Sequence, residues 1–418
     1  MMWRSLLSTA LAALILPACG GGSGGGDPPA PVATRLCPQA VDYSTVFTGG
    51  AGSGELVQVQ LDTTAMTYKI TYLASPVPVT KGTVLPTRSS APNNVVSGTL
   101  TQETLLPTEK LNQCAFRLND ASLDPTRPAR VFLGEGVLGG TIPGAEIAFA
   151  GVAGVGVVPD TTFPYYPFIA FAQTSTNLAE IAGTYSMLGY HKVPSQNFAP
   201  VAVDASFTID ADGSFTECDN NGLYAGQCRQ SGSNFAARTD SPTFETDRFT
   251  GQVAPTQAVN GPQAQGILIV GKLRGQLVPI LIRVGAADPS IVSPPGSPPK
   301  TPLADDESGI AMLAPQANVA AGSQNGEYDG VDSDFAYRTT ALMNGQATML
   351  DPFNASIASL ATPLDLDYAQ SLPGLVKTAK ASAGATPTGK MIFTGGTIGY
   401  LDMSDPNAPY FAVSAFVQ

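Results

Sequence analysis

Val57, Val59 and Leu61, then Met66, Tyr68, Ile70 and Tyr72, alternate with polar residues on either side of Asp62-Thr63-Thr64-Ala65. Successive side chains of an extended strand point to opposite faces, so this period-two pattern predicts a hairpin with one face buried. Further short runs at 95–106, 114–118, 130–138, 146–152 and 168–173 are rich in β-branched and aromatic residues and bounded by Gly or Pro. None of them carries the 3.6-residue period of a long amphipathic helix. Strands separated by turn signals, without helical crossovers, predict antiparallel sandwiches or barrels.

The pattern restarts near Asn177, where Asn-Leu-Ala-Glu-Ile-Ala can form one helical turn before Gly183-Thr184-Tyr185 opens a new strand. A domain boundary is expected between 175 and 176. Downstream, 207–209 and 214–217 flank Asp210-Ala211-Asp212-Gly213, and 267–270 pairs with 277–284 around Gly271-Lys272-Leu273-Arg274-Gly275. Both read as hairpins. The apolar stretch 266–285 is interrupted by Lys272, Arg274, Pro279 and Arg283, so strands are expected there and not a membrane span. Prolines cluster between 286 and 302, which predicts an exposed loop, and strands at 391–394, 397–401 and 410–417 close the chain. Residues 166–173 and 409–418 echo one another and read as equivalent closing strands of a duplicated β domain, with chance similarity as the competing explanation.

The chain has 418 residues and a formal net charge of −12. Single cores stop growing at about 250–300 residues, so two domains are expected, 37–175 and 176–418. Charged residues make up 13% of the chain and hydrophobic ones 43%, enough for a core but leaving a surface of Thr, Ser, Asn, Gln and backbone. The acidic balance, with scattered Lys and Arg, argues against nucleic acid as a partner because no basic cluster exists to release counterions.

At the N-terminus, Arg4 precedes an uncharged apolar run that ends in Leu16-Pro17-Ala18-Cys19, followed by Gly20-Gly21-Gly22-Ser23-Gly24-Gly25-Gly26. The run is shorter than the about 20 residues of a transmembrane helix and fits the roughly 7 to 15 of a signal-peptide core. It resembles the signal peptide and lipobox of bacterial lipoproteins, which implies removal of residues 1–18 and diacylation of Cys19. In that family an aspartate after the cysteine favours the inner membrane. Gly20 stands there instead, so the resemblance implies an outer-membrane protein whose membrane partner is reached through the lipid. Residues 19–36, Gly-rich and then Pro-rich, form the tether. A plain secretory signal with a chance cysteine is the alternative.

Once Cys19 is lipidated, four cysteines remain in an oxidising compartment, which predicts two disulfides. Of the three pairings, Cys218 with Cys228 is favoured by the turn-forming Asp219-Asn220-Asn221-Gly222 between them, leaving Cys37 to join Cys114. A zinc site is poorly served, since His191 is the single histidine and no close ligand pair accompanies it.

Several segments imitate catalytic motifs. Gly21-Gly22-Ser23-Gly24-Gly25 fits the Gly-x-Ser-x-Gly elbow of hydrolases but lies in the tether, without the strand and helix that make the elbow. The segment 384–390 matches a phosphate loop until Met391 takes the place of the magnesium-binding hydroxyl. His191 follows Tyr185, Met187 and Gly189 at strand spacing and reads as structural.

Two surface candidates remain. Glu327, Asp329, Asp332 and Asp334 gather oxygen ligands around Gly330, as a calcium loop would, but without EF-hand spacing; a solvated acidic turn is expected. Phe163, Tyr165, Tyr166 and Phe168 either present flat rings to a sugar or protein or pack between domains, the latter being expected. Gly183-Thr184-Tyr185 and Gly326-Glu327-Tyr328 resemble the Gly-x-Trp opening of lipocalin-like barrels, with tyrosine for tryptophan.

The sequence thus describes a mainly β protein, two antiparallel sandwich or barrel domains behind a flexible tether, with no cofactor required. It is expected to act as a binding or envelope structural module for a protein, a glycan or a small apolar ligand. The alternative is a surface hydrolase acting on glycans through two carboxylates about 5 to 9.5 Å apart. An apolar cavity would favour binding.

Overall fold

The alternation at 57–72 folds into a hairpin in the computed structural model: β2 (Glu55–Asp62) pairs antiparallel with β3 (Thr67–Ala74), Leu61 opposite Tyr68 and Val59 opposite Ile70. The structure describes residues 36–121, 123–152, 156–221, 225–231, 233–246, 264–287, 304–353, 363–370, 372–381 and 386–417. Residues 1–35, with Cys19 and nearly all of the tether, lie outside them, as does most of the proline-rich loop at 286–302.

The hairpin belongs to a closed barrel. Strand β1 (Phe47–Ala51) precedes it, and β4 (Val95–Gln102), β5 (Ala115–Leu118), β6 (Arg130–Leu133), β7 (Val137–Val152) and β8 (Gly156–Phe171) follow in order, β8 returning to β1 with Phe171 opposite Thr48. Val57, Val59 and Leu61 of β2 and Tyr68, Ile70 and Tyr72 of β3 belong to its buried core. Closure leaves the sheet without unpaired edges.

A nine-stranded antiparallel sheet comes next. Its strands are β9 (Gly183–Val193), β10 (Ala199–Ile209), β11 (Phe215–Asp219), β12 (Cys228–Gln230), β13 (Ala236–Ala237), β14 (Phe244–Thr246), β15 (Gln265–Leu273), β16 (Gln276–Val284) and, after a short β17–β18 pair (Ala286–Ala287, Ala304–Asp305), β19 (Ser308–Pro315). In space they run β12-β11-β10-β9-β19-β16-β15-β14-β13. The two residues joining β15 to β16, Arg274 and Gly275, have φ of +52° and +72°, the left-handed turn that matches strand twist.

The second barrel is built from β20 (Gly326–Asp332), β21 (Tyr337–Met343), β22 (Gln346–Leu350), β23 (Leu364–Asp367), β24 (Val376–Lys380), β25 (Gly389–Thr394), β26 (Thr397–Asp402) and β27 (Tyr410–Phe416), with Val413 of β27 closing on Val331 of β20. The two echoing segments, 166–173 and 409–418, therefore supply β8 and β27, the closing strands of the two barrels. The two Gly-x-Tyr openings also act alike: the Tyr185 hydroxyl donates to the Ile181 carbonyl at 2.7 Å and that of Tyr328 to the Gln324 carbonyl at 2.9 Å. Each tyrosine pins the chain that enters its strand. Antiparallel sandwiches or barrels were the expected architecture; barrels form, and residues 176–418 contribute both the nine-stranded sheet and the second barrel.

Leu36 to Val417 form one compact unit, and the boundary expected at 175/176 falls between β8 and β9. The reason for the unity is a core shared by all three sheets: Leu56 and Phe171 of the first barrel, Ile269, Ile280 and Met312 of the nine-stranded sheet, and Ile392 and Val413 of the second barrel. On β15, Ile267 and Ile269 face this shared core while Leu268 and Val270 face a second core with Phe207, Phe215 and Leu313 of the same sheet. A sheet buried on both faces needs near-continuous apolar strands, which accounts for the apolar runs 267–270 and 277–282. Packing is close enough at Gly271 that a Cβ would lie 2.3 Å from the Phe171 ring.

Both expected disulfides form. Cys218 and Cys228 sit opposite each other on β11 and β12, and Cys37 joins Cys114 with Cα atoms 5.7 Å apart. Cys114 follows the single helical turn α1 (Glu109–Asn112), whose N-cap Thr108 accepts a hydrogen bond from the Leu111 amide. This cap satisfies an otherwise orphaned donor at the helix start.

Candidate functional site

Where the three sheets meet they leave a cavity of about 440 Å³. Its walls come from the β3–β4 loop and β8 of the first barrel, from β9 and β19 of the nine-stranded sheet, and from the β20–β21 turn and β27 of the second barrel. Val77, Val84, Ile310, Val331, Phe411 and Val413 make it largely apolar. Its volume lies within the about 300–1,000 Å³ of small-molecule sites.

One side is aromatic. Phe163 of β8 packs edge-on against Phe198 (centroids 4.9 Å apart) and lies 5.8 Å from Phe335. Phe198 and Phe335 hold φ of +55° and +61°. The left-handed region is disfavoured for bulky residues, costing about 1–3 kcal/mol, and persists where the surroundings enforce it. Both strained residues line the cavity.

Lys192 reaches the same wall because β9 alternates: Leu188, Tyr190 and Lys192 share the face turned to the barrels. Its ammonium lies over the rings of Phe335 (5.3 Å), Phe163 (5.6 Å) and Tyr190 (5.6 Å). Among the described residues it makes no ion pair and no side-chain hydrogen bond. Burial lowers its pKa, partly offset by the field of the exposed Asp334.

The β3–β4 loop is held by a buried ion pair. Glu55, fully buried at the start of β2, accepts from Arg88 Nε at 3.0 Å and from a second guanidinium nitrogen, and also from the hydroxyls of Ser53 and Ser75. Arg88 further donates to the carbonyls of Pro143 and Gly144, both at 3.0 Å, and stacks over Tyr72 at 4.5 Å. Such a cluster is tolerable under burial because donors and acceptors are matched.

Two carboxylates, Asp306 and Asp332, also line the cavity. The oxygens of Asp306 accept from the Ser195 amide (2.6 Å) and hydroxyl (2.8 Å). Those of Asp332 accept from the amides of Asp334 and Ala336, from Arg338 Nε at 2.6 Å and from the Tyr410 hydroxyl at 3.1 Å. All four oxygens are thus engaged in holding turns and strands. Burial raises the pKa of both groups against these partners.

The sequence candidates are distributed as follows. Phe163, Tyr165, Tyr166 and Phe168 are all buried. Phe163 and Tyr166 line the cavity, whereas Tyr165 packs against Phe335 and Tyr337 across the barrel junction. Asp329 and Asp332 are buried on β20 while Asp334 is exposed, so the acidic stretch is not a wholly solvated turn. Burial pushes Asp329 up to about 7, against the pull of the Thr339 hydroxyl that donates to it. Among the described residues no three His, Cys, Asp or Glu side chains converge to hold a metal. His191 is buried on the other face of β9, its Nδ1 2.7 Å from Glu307 Oε1. Burial raises Glu307, but Arg283 and His191 outweigh it and bring its pKa to about 2; burial takes the nearby Glu217 up to about 7 against Arg229.

Lys192, Phe198, Phe335 and the β3–β4 loop were not singled out in the sequence. A lysine in phase with Leu188 and Tyr190 on one face of the strand was the available signal. The family model described as "Protein of unknown function (DUF2957)" matches residues 67–415. No curated protein and no solved structure matches the chain.

Proposed function

The chain belongs to DUF2957, a family of proteins of unknown function, and on that footing we propose that it is an outer-membrane lipoprotein whose β body binds a small apolar molecule in the cavity between its sheets. The observation that carries the reading is the 440 Å³ cavity with its largely apolar lining. Burying a ligand's apolar surface there supplies the driving force, at about 25 cal/mol per Å². Two strained aromatic residues on its wall support a site kept for recognition, since such strain clusters at ligand clamps. The engaged oxygens of Asp306 and Asp332 favour binding over carboxylate-driven hydrolysis.

N-phenylnaphthylamine, an uncharged apolar dye, should bind the purified protein saturably at one site, read by fluorescence. Val84→Trp, which fills the cavity from the loop side, should weaken that binding about tenfold or more. No saturable binding, or equal binding by the variant, would remove the cavity from consideration.

The lipid anchor at Cys19 rests on the lipobox resemblance and on the glycine tether behind it. Two acyl chains supply enough apolar burial for stable membrane attachment. Cys19→Ala should therefore release the protein from the membrane fraction and abolish incorporation of labelled fatty acid. A variant that stays membrane-bound and labelled refutes the anchor.

A further inference from the structure

Resting on the cavity reading above, we propose that the ligand is an amphipathic anion whose carboxylate is held by Lys192 while its apolar chain fills the cavity. Among the described residues that line the cavity, Lys192 is the one cation. The two lining carboxylates do not pair with it: Asp306 is taken by Ser195, and Asp332 by Arg338, Tyr410 and the turn amides. Asp334 is exposed and forms no ion pair with it, and its charge only partly offsets the effect of burial on the ammonium.

The ammonium instead has ring faces on three sides, Phe163, Tyr190 and Phe335. Aromatic faces attract a cation but accept none of its three hydrogen bonds in the way an anionic oxygen does. A half-buried ammonium in apolar surroundings bears a desolvation penalty, seen in its lowered pKa. An incoming carboxylate removes that penalty through charge-assisted hydrogen bonds, and the same rings then border the first part of its chain. The geometry separates head from tail: the cation stands at the aromatic wall, and aliphatic side chains, among them Val77, Val84, Ile310, Val331 and Val413, line much of the remainder. A neutral ligand would leave Lys192 unpaired; a cationic one would meet it with repulsion.

The test is calorimetric titration of the full purified chain with laurate, dodecanol and dodecyl phosphate. Laurate should bind at least about tenfold more tightly than dodecanol, the ratio that one charge-assisted hydrogen bond supports. Lys192→Met should remove the preference of laurate over dodecanol, with dodecanol still bound at least as tightly as by the parent protein, and Lys192→Arg should retain the preference. Retained dodecanol binding in Lys192→Met reports that the cavity is still folded. Equal affinities for laurate and dodecanol in the parent protein, or a preference that survives Lys192→Met, overturn the assignment while leaving the cavity reading intact. Tighter binding of dodecyl phosphate than of laurate overturns the carboxylate as the head group. Failure of all three to bind overturns the cavity reading and this assignment together.

Discussion

Replacing Arg88 with methionine is expected to destabilise the protein by about 3–5 kcal/mol, the range for breaking a buried ion pair by removing one partner. The cause is what remains. Glu55 is fully buried, and without the guanidinium its carboxylate keeps only the Ser53 and Ser75 hydroxyls, while the Pro143 and Gly144 carbonyls lose their donor. Equilibrium denaturation measures the loss. Glu55→Leu combined with Arg88→Leu should cost much less than the sum of the two single changes, because an apolar pair leaves no uncompensated charge. Additive costs would show that the two residues act independently. Arg88 also fixes the loop that supplies Val77, Val84 and Leu85 to the cavity, so the single variant should lose ligand affinity with its stability.

The second large effect is expected at Cys37–Cys114. The bond joins positions 77 apart, and the chain-entropy relation assigns such a loop about 4.5 kcal/mol, against about 2.7 kcal/mol for Cys218–Cys228, whose positions are 10 apart. Cys37→Ala with Cys114→Ala should therefore lower the denaturation midpoint further than Cys218→Ala with Cys228→Ala. The order is the informative quantity. If the short loop proves the costlier one to open, local packing around β11 and β12 governs their stability, and not loop closure.

Local patterns made particular elements legible. The β2–β3 and β15–β16 hairpins follow from period-two alternation and from turn residues that accept positive φ, properties contained in a window of ten or twenty residues. The Cys218–Cys228 bond was readable for the same reason, since the turn between the cysteines brings them opposite each other. Asp329 shows where such reading fails: its neighbours in sequence are acidic and suggest solvent, but β20 lies against the first barrel and buries it. Whether a strand's second face meets water or another sheet is not written in that strand.

Strand positions, antiparallel pairing of neighbours and the shorter disulfide were determined by the amino-acid sequence alone, because each depends on the alternation and turn chemistry of contiguous residues. Closure of the two barrels, the presence of a separate nine-stranded sheet and the cavity among them were decided by long-range pairing, such as Thr48 with Phe171 and Tyr328 with Phe416. Phe163, Lys192 and Phe335 come from three different sheets or their turns and become neighbours only after the shared core of Leu56, Ile280 and Val413 has formed. Burial of apolar area is non-directional and holds those sheets together without marking any one residue as part of a site; the void between them is a property of how three curved surfaces fail to fill the space where they meet.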